Sequence, residues 1–179
     1  MSSRVVETRS EEETAGVGAG LASRLEPGSI VLLIGDLGAG KTAFVRGMAA
    51  GLGLDPDEVS SPTFTLVQEY RASQGAGRPG RLEGGGSTTS SRPGQGRKEG
   101  DEGQGRFTLY HVDLYRLEGG EVDDLGLEEL VESGGVVAIE WAEKLRDTLP
   151  GATRVEIVDL GDDRRRIRIA RPGTDRPPR

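Results

Sequence analysis

The feature that most constrains the fold of this chain is a glycine-rich segment, Gly35–Thr42, with the sequence Gly-Asp-Leu-Gly-Ala-Gly-Lys-Thr. It matches the phosphate-loop pattern G-x-x-x-x-G-K-[ST]. The all-apolar run Ile30–Ile34 precedes it directly, and a helical stripe of Phe44, Met48 and Leu52 follows it. A buried strand, a glycine-rich loop and a helix in this order are the context that the motif requires. The segment therefore predicts an α/β fold with a phosphate-loop NTPase-like sheet flanked by helices.

The chemistry of such a loop is phosphate binding. Glycines let the backbone wrap closely around phosphates and turn its N–H groups inward, and the helix that follows adds the positive end of its dipole. Lys41 is expected to reach the β- and γ-phosphates, and Thr42 to offer its hydroxyl to Mg²⁺. The other expected nucleotide contacts in the loop are Leu37, Gly38, Ala39 and Gly40.

The other apolar patterns predict further helices and added antiparallel strands. Ser10 and Glu13 fit a capping box, which places the start of a helix there. Alternation around Gly161-Asp162-Asp163 predicts a C-terminal hairpin. The remaining predicted elements are a helix with the stripe Val17, Leu21 and Leu25, strands at Phe64–Tyr70 and Phe107–Tyr115, a helix at Glu121–Glu132 and a buried strand at Val136–Ile139.

Two segments differ in composition from the rest. Residues 71–106 contain 11 glycines among 36 residues, with seven basic and four acidic side chains, and predict a disordered insert in a hairpin. The tail 171–179 is rich in proline and arginine and is also expected to be disordered. We therefore expect a single domain over residues 1–170, interrupted by this insert. An Arg/Gly-rich arm that touches RNA is the functional alternative to a solvated insert.

Several classes of function are excluded by composition. The chain has no cysteine and one histidine, so disulfide scaffolds, cysteine zinc sites and thiol catalysis are ruled out. The net charge of −7 argues against broad binding of a phosphate backbone by the folded domain. No apolar run approaches the roughly 20 residues that span a bilayer. We expect a cytoplasmic protein without a membrane partner.

Two acidic residues are candidates for work on the phosphates or on a metal. Glu140 directly follows a buried strand, and it could hold Mg²⁺ through a water or orient an attacking water. Asp113 lies in Tyr110–Arg116, where a period of two puts His111 and Asp113 on one face. Either of these two residues could position water or metal, and a structural hydrogen-bonding role is the alternative for His111.

The segment between the phosphate-loop helix and the next strand is a candidate switch. In phosphate-loop proteins a hydroxyl there senses the γ-phosphate and Mg²⁺, which Ser61 or Thr63 could do. A proline-initiated turn that needs no ligand is the alternative. Trp141, the only tryptophan, follows Glu140 and could stack on a base, contact a partner or lie in the core.

ATP is the expected nucleotide, because guanine-specific phosphate-loop proteins use an Asn-Lys-x-Asp element and this chain has no asparagine. These motifs, in this order, resemble the bacterial TsaE family. The matching stretches are Gly35–Thr42, Ser61–Val67, Tyr110–Arg116 and Ile139–Trp141, and the resemblance covers roughly residues 5 to 170 except the insert.

The resemblance implies an ATPase that works with two partners, TsaB and TsaD, in making threonylcarbamoyladenosine beside the anticodon of tRNAs that read codons starting with A. Contact with tRNA would be indirect, and the chain alone is expected to be a monomer. The resemblance implies a metal-binding role for Glu140, a role in hydrolysis for Asp113 and, for Glu11, a contact on the base side. An arginine from Arg164–Arg166 is expected near the nucleotide. The switch and partner contacts would include Ser61, Thr63, Thr65, His111 and Trp141.

Two other functions use the same loop. A small-molecule kinase would transfer the phosphate to a metabolite, and it needs an acceptor pocket with a lid. A nucleotide-dependent binding module would hold ATP without turning it over.

Overall fold

The computed structural model describes residues 3–71, 108–118, 121–122, 125–146 and 149–172. The predicted disordered insert lies outside these ranges except for Arg71, which is the last residue of a strand. All but the first two residues of the predicted tail also lie outside them. In chain order the elements are β1 Ser3–Thr8, α1 Glu11–Ala22, β2 Ile30–Ile34, α2 Lys41–Gly51, β3 Val67–Arg71, β4 Thr108–Asp113, α3 Leu127–Glu132, β5 Val136–Glu140, β6 Thr153–Gly161 and β7 Arg164–Ala170.

The strands form one seven-stranded sheet in the order β1-β7-β6-β2-β5-β4-β3. The four central strands β6, β2, β5 and β4 run parallel. Strand β3 at one edge and strands β7 and β1 at the other pair antiparallel. This mixed sheet with a C-terminal hairpin confirms the predicted α/β fold, and it brings the carboxyl ends of β2, β4 and β5 to the same edge.

Both faces of β2 and β5 are covered, which explains their nearly continuous apolar sequences. On one face α1 and α2 pack over a core that includes Phe44, Met48 and Leu33. On the other face α3 and the segment after β5 cover a second core around Val112 and Ile139. The interior of β2 is completely buried as a result, and the loop that follows it starts from a rigid position.

Two predicted boundaries were wrong for local reasons. The helix expected from Glu121 begins only at Leu127, because Gly126 has a φ of 62° that a continuing helix does not allow. The strand expected from Phe64 begins at Val67, because a turn holds residues 62–66. Helix α1 begins directly after Ser10, as predicted, but it ends at Ala22, before Leu25, the last residue of the predicted stripe.

Strand β1 was not predicted. It pairs with β7 from Ser3 opposite Ala170 to Thr8 opposite Arg165, at the edge of the sheet. Its sequence is mostly polar, and Val5 and Val6 are its only apolar residues. No helix within the described part of the chain is long and apolar enough to cross a membrane.

Candidate nucleotide-binding site

A cavity of about 370 Å³ lies where β2, β4 and β5 end. It collects residues from the phosphate loop, the candidate switch segment, the ends of two strands and the start of α1. The predicted site residues that line it are Glu11, Leu37, Gly38, Gly40, Lys41, Thr42, Ser61, Thr63, Asp113, Glu140 and Trp141. The other three, Ala39, Thr65 and His111, do not line it. Ala39 and His111 are buried, and Thr65 is exposed outside it.

The phosphate loop leaves the first turn of α2 open. Gly40, the residue before the helix, has a left-handed φ of 104°, and no side chain caps the helix in the described structure. A β-carbon at Gly40 would lie 3.0 Å from Nε of Arg165. The backbone angle favours glycine, and a larger residue would also have to displace the Arg165 side chain. The amide groups at the start of α2 therefore keep their capacity to bind an anion.

Lys41 is folded onto its own loop. Its side chain is only 5% exposed, and Nζ donates to the carbonyl oxygens of Gly35 at 2.7 Å and Asp36 at 2.8 Å. Nζ also lies 3.9 Å from the centre of the Trp141 ring. Burial lowers the pKa of Lys41, and the nearby Glu140 carboxylate opposes that effect. A bound phosphate would add a further negative charge beside this buried cation.

Glu140 joins the loop helix to strand β4. Its Oε1 accepts hydrogen bonds from the Thr42 hydroxyl and from Nε2 of His111, both at 2.8 Å. His111 is fully buried. Its side chain therefore offers no surface to a partner, in contrast to the partner contact expected from the sequence. His111 and Asp113 are two residues apart in β4, opposite Ala138 and Glu140 of β5, so they share one face of the strand as expected.

Asp113 is tied to the candidate switch segment. Its Oδ2 accepts hydrogen bonds from Ser61 Oγ at 3.0 Å and from Thr63 Oγ1 at 2.7 Å. Its Oδ1 accepts from the amide of Tyr115 at 2.8 Å, which ends the strand. With only 2% of its surface exposed, Asp113 has its carboxylate fixed from two sides. The two hydroxyls of the candidate switch segment thus contact one of the two candidate acidic residues.

The same segment presents an aromatic ring to solvent. Amide groups of Thr65 and Leu66 both donate to the Pro62 carbonyl, which confirms a proline-initiated turn. Phe64 at its tip is 82% exposed, and the Arg116 guanidinium stacks on its ring at 4.1 Å. The turn that contacts Asp113 therefore places an aromatic ring on the surface of the protein.

Three residues near the cavity were missed or only loosely anticipated. Arg46 lines the cavity four residues after Thr42, a helical spacing that could have revealed it, and its Nε donates to the Val59 carbonyl. Tyr115 also lines it, with its ring centre 5.0 Å from that of Trp141. Arg165 is the arginine of the anticipated group that is buried beside Gly40, and its Nε has no partner among the described residues.

A central strand that leads through such a loop into a helix, with carboxylates ending two nearby strands, defines the phosphate-loop NTPase-like class of α/β folds. The chain belongs to the TsaE family. The family model described as threonylcarbamoyl adenosine biosynthesis protein TsaE matches residues 8–79 and 98–167.

Curated relatives and a solved structure agree with this assignment. The chain is 37% identical to the tRNA threonylcarbamoyladenosine biosynthesis protein TsaE of Treponema pallidum, over 91% of this chain and 97% of that protein. It is 36% identical to the protein of the same name from Bacillus subtilis, over 93% of this chain and 84% of that protein. The crystal structure of Bacillus subtilis YdiB superposes with a TM-score of 0.63 at 28% identity, covering 96% of this chain and 87% of that one.

Proposed function

We propose that this chain binds ATP with Mg²⁺ and hydrolyses it as a subunit of the machinery that makes threonylcarbamoyladenosine in tRNA. The observation that carries the proposal is the convergence of Lys41, Thr42, Asp113 and Glu140 on one cavity from three separate stretches of the chain. Each has the chemistry that phosphoryl transfer from a nucleotide requires.

Phosphate binding falls to the loop amides and Lys41. The Nζ atom now donates to two carbonyl oxygens of its own loop. Charge-assisted hydrogen bonds to phosphate are about twice as strong as neutral ones, so an incoming phosphate competes well for this ammonium group. Leu37, Gly38, Ala39 and Gly40 would provide the backbone of the cradle.

The oxygen donors beside the loop fit Mg²⁺. Thr42 contributes a hydroxyl and Glu140 a carboxylate, 2.8 Å apart, and Mg²⁺ prefers a few oxygen ligands completed by water. When bound, the ion neutralises charge that develops on the phosphates. Asp113 is fixed by two hydroxyls and an amide, which suits a carboxylate that orients an attacking water and accepts its proton.

The base of ATP is proposed to lie on the α1 side. Glu11, at the start of α1, lines the nucleotide cavity, and it also lines a groove of about 510 Å³ between α1 and α2. Ala43 and Arg46 border both spaces, so the two adjoin each other. A groove with small apolar walls next to the phosphate site suits a planar base.

The relatives are named as tRNA threonylcarbamoyladenosine biosynthesis proteins, which indicates the pathway. The resemblance of the motifs to the TsaE family adds TsaB- and TsaD-like partners in the cytoplasm, and we propose that those partners carry out the transfer to the adenosine beside the anticodon. The tRNAs would be those that read codons starting with A. The turn Ser61–Thr65 and Trp141 would report the state of the nucleotide to the partners. The exposed ring of Phe64 in this turn supports that role. Alone, the chain would be a monomer.

ATP turnover by the protein alone and with its TsaB and TsaD partners tests the proposal. We expect slow turnover that the partners change, and its loss in Glu140→Gln. Glu128→Gln, an exposed change on α3, is the matched control and should behave as wild type. Phosphate found on a metabolite would favour a kinase, and binding without turnover under any condition would favour a binding module. Restoration of threonylcarbamoyladenosine in a deficient strain by Lys41→Ala would contradict an ATP-driven role.

A further inference from the structure

His111 is the one histidine of the chain, and it is fully buried. Its Nε2 lies 2.8 Å from Oε1 of Glu140. Its other ring nitrogen, Nδ1, is buried without a hydrogen-bond partner among the described residues. A buried polar atom without a partner has a cost in free energy. The hydrogen bond between Nε2 and Glu140 therefore has to compensate for the unpaired Nδ1.

The surroundings determine which nitrogen carries the hydrogen. An ionised carboxylate only accepts hydrogen bonds, so a contact between Glu140 Oε1 and Nε2 requires the hydrogen on Nε2. His111 is therefore a fixed hydrogen-bond donor, and it also packs against Tyr70 with the ring centres 6.5 Å apart.

The same carboxylate oxygen receives two donors. Thr42 Oγ1 and His111 Nε2 both contact Glu140 Oε1, whereas Oε2 takes part in none of the hydrogen bonds that the described residues form. Glu140 lines the nucleotide cavity, and only 3% of its surface is exposed. Two donors on one oxygen fix the rotation of the carboxylate and leave the other oxygen free.

We propose that His111 is a positioning residue, whose Nε2–H holds one oxygen of Glu140 so that the other stays available to the metal–nucleotide complex. This inference rests on the proposed function, because it assumes that Glu140 serves a bound Mg²⁺. Hydrogen-bond partners that orient a metal ligand typically contribute 10- to 100-fold to metal affinity or activity.

Calorimetric titration of ATP, with excess Mg²⁺ and with EDTA, tests the inference without measuring turnover. In His111→Leu we expect affinity in EDTA to stay within about twofold of wild type, because the phosphate loop is intact, while the gain from Mg²⁺ falls about tenfold or more. His111→Gln places an amide nitrogen where Nε2 stands and should recover most of the gain. His111→Asn is too short to do so and should lose it.

Val112→Ala is the matched control. Val112 is equally buried on the same strand but points to the opposite face, so this change lowers stability without touching Glu140. It should keep the wild-type gain from Mg²⁺ although it unfolds at a lower temperature. A His111→Leu protein with the wild-type gain, or His111→Gln as defective as His111→Asn, would overturn the inference. Wild-type protein that binds no ATP in either buffer would instead contradict the proposed function itself.

Discussion

The Nζ atom of Lys41 lies 3.9 Å from the centre of the Trp141 ring. Trp141 has a left-handed φ of 59° directly after β5, and this conformation turns the chain where the indole meets the loop. A cation over an indole face is stabilised by the ring, more so when both are shielded from water. The lysine that is proposed to bind phosphate is thus in contact with the only tryptophan of the chain.

Nucleotide binding should therefore change the fluorescence of Trp141. When Lys41 turns from the loop carbonyls to a phosphate, the charge beside the indole moves. We expect a saturable change in emission on titration with ATP and Mg²⁺, and its absence in Lys41→Met, whose affinity should fall at least about tenfold. Lys144→Met is the control, since that ammonium lies over Tyr115 and not over the tryptophan. An undiminished signal in Lys41→Met would contradict this coupling.

The hydrogen bond from Thr63 to Asp113 should matter for turnover more than for binding. Thr63→Val keeps the shape of the side chain but removes the hydroxyl that lies 2.7 Å from the carboxylate. Hydrogen bonds to charged groups contribute about 1.5–3 kcal/mol, so we expect kcat to fall about tenfold with little change in ATP affinity. Steady-state kinetics and equilibrium binding separate the two effects.

Ser60→Ala is the comparison for that variant. Ser60 lies in the same segment, but its hydroxyl contacts Gln68 and not Asp113, so kcat should stay near the wild-type value. Equal losses in both variants would mean that the segment as a whole, and not the bond to Asp113, is responsible.

The parts of the site that the sequence could predict depend on local rules. The loop Gly35–Thr42 needs a preceding strand and a following helix, and both are visible as apolar patterns within the neighbouring residues. Glu140 was found because it follows an apolar strand, and Asp113 because a period of two places it on one strand face with His111. The confirmed hairpin β6–β7 followed from period-two alternation on either side of a turn.

The parts that could not be predicted depend on partners distant in sequence. Strand β1 carries few apolar residues, and only its pairing with β7 defines it. One oxygen of Glu140 contacts both His111 and Thr42, which are 29 and 98 positions away in the sequence. No pattern in the chain reveals such a contact. Gly126 adopts a left-handed conformation that interrupts the helix predicted over Glu121–Glu132, because a glycine has no side chain to oppose that conformation.

The lowered pKa of Lys41 predicts a pH dependence of stability. The usual pKa is 10.5, and burial lowers it in the folded protein. Between the folded and unfolded values the unfolded chain binds more protons, so stability gains a contribution as pH rises through this range. Wild type should therefore gain stability relative to Lys41→Met as pH rises towards the usual lysine pKa of 10.5. Urea unfolding of both proteins over a pH series measures this difference in stability, and a pH-independent difference would contradict the prediction.

The position of α2 depends on a very close contact with α1. A β-carbon at Gly47 would lie 1.8 Å from the Ala15 carbonyl oxygen, and one at Gly18 would lie 2.2 Å from that of Phe44. Neither oxygen can move without its helix. Because Lys41 and Thr42 lie in the first turn of α2, any displacement of α2 also moves the phosphate site.

Gly47→Ala should therefore reduce both stability and nucleotide affinity. Overpacking typically costs about 1–3 kcal/mol, and a clash with rigid backbone belongs at or above the upper end of that range. Gly20→Ala is the control: nothing lies within 4 Å of its added methyl group, and alanine is the better helix former by about 0.5–1 kcal/mol. Denaturant unfolding should place the two variants on opposite sides of wild type. A Gly47→Ala protein as stable as wild type would mean that the two helices can move apart without cost, and it would contradict the role of this close contact.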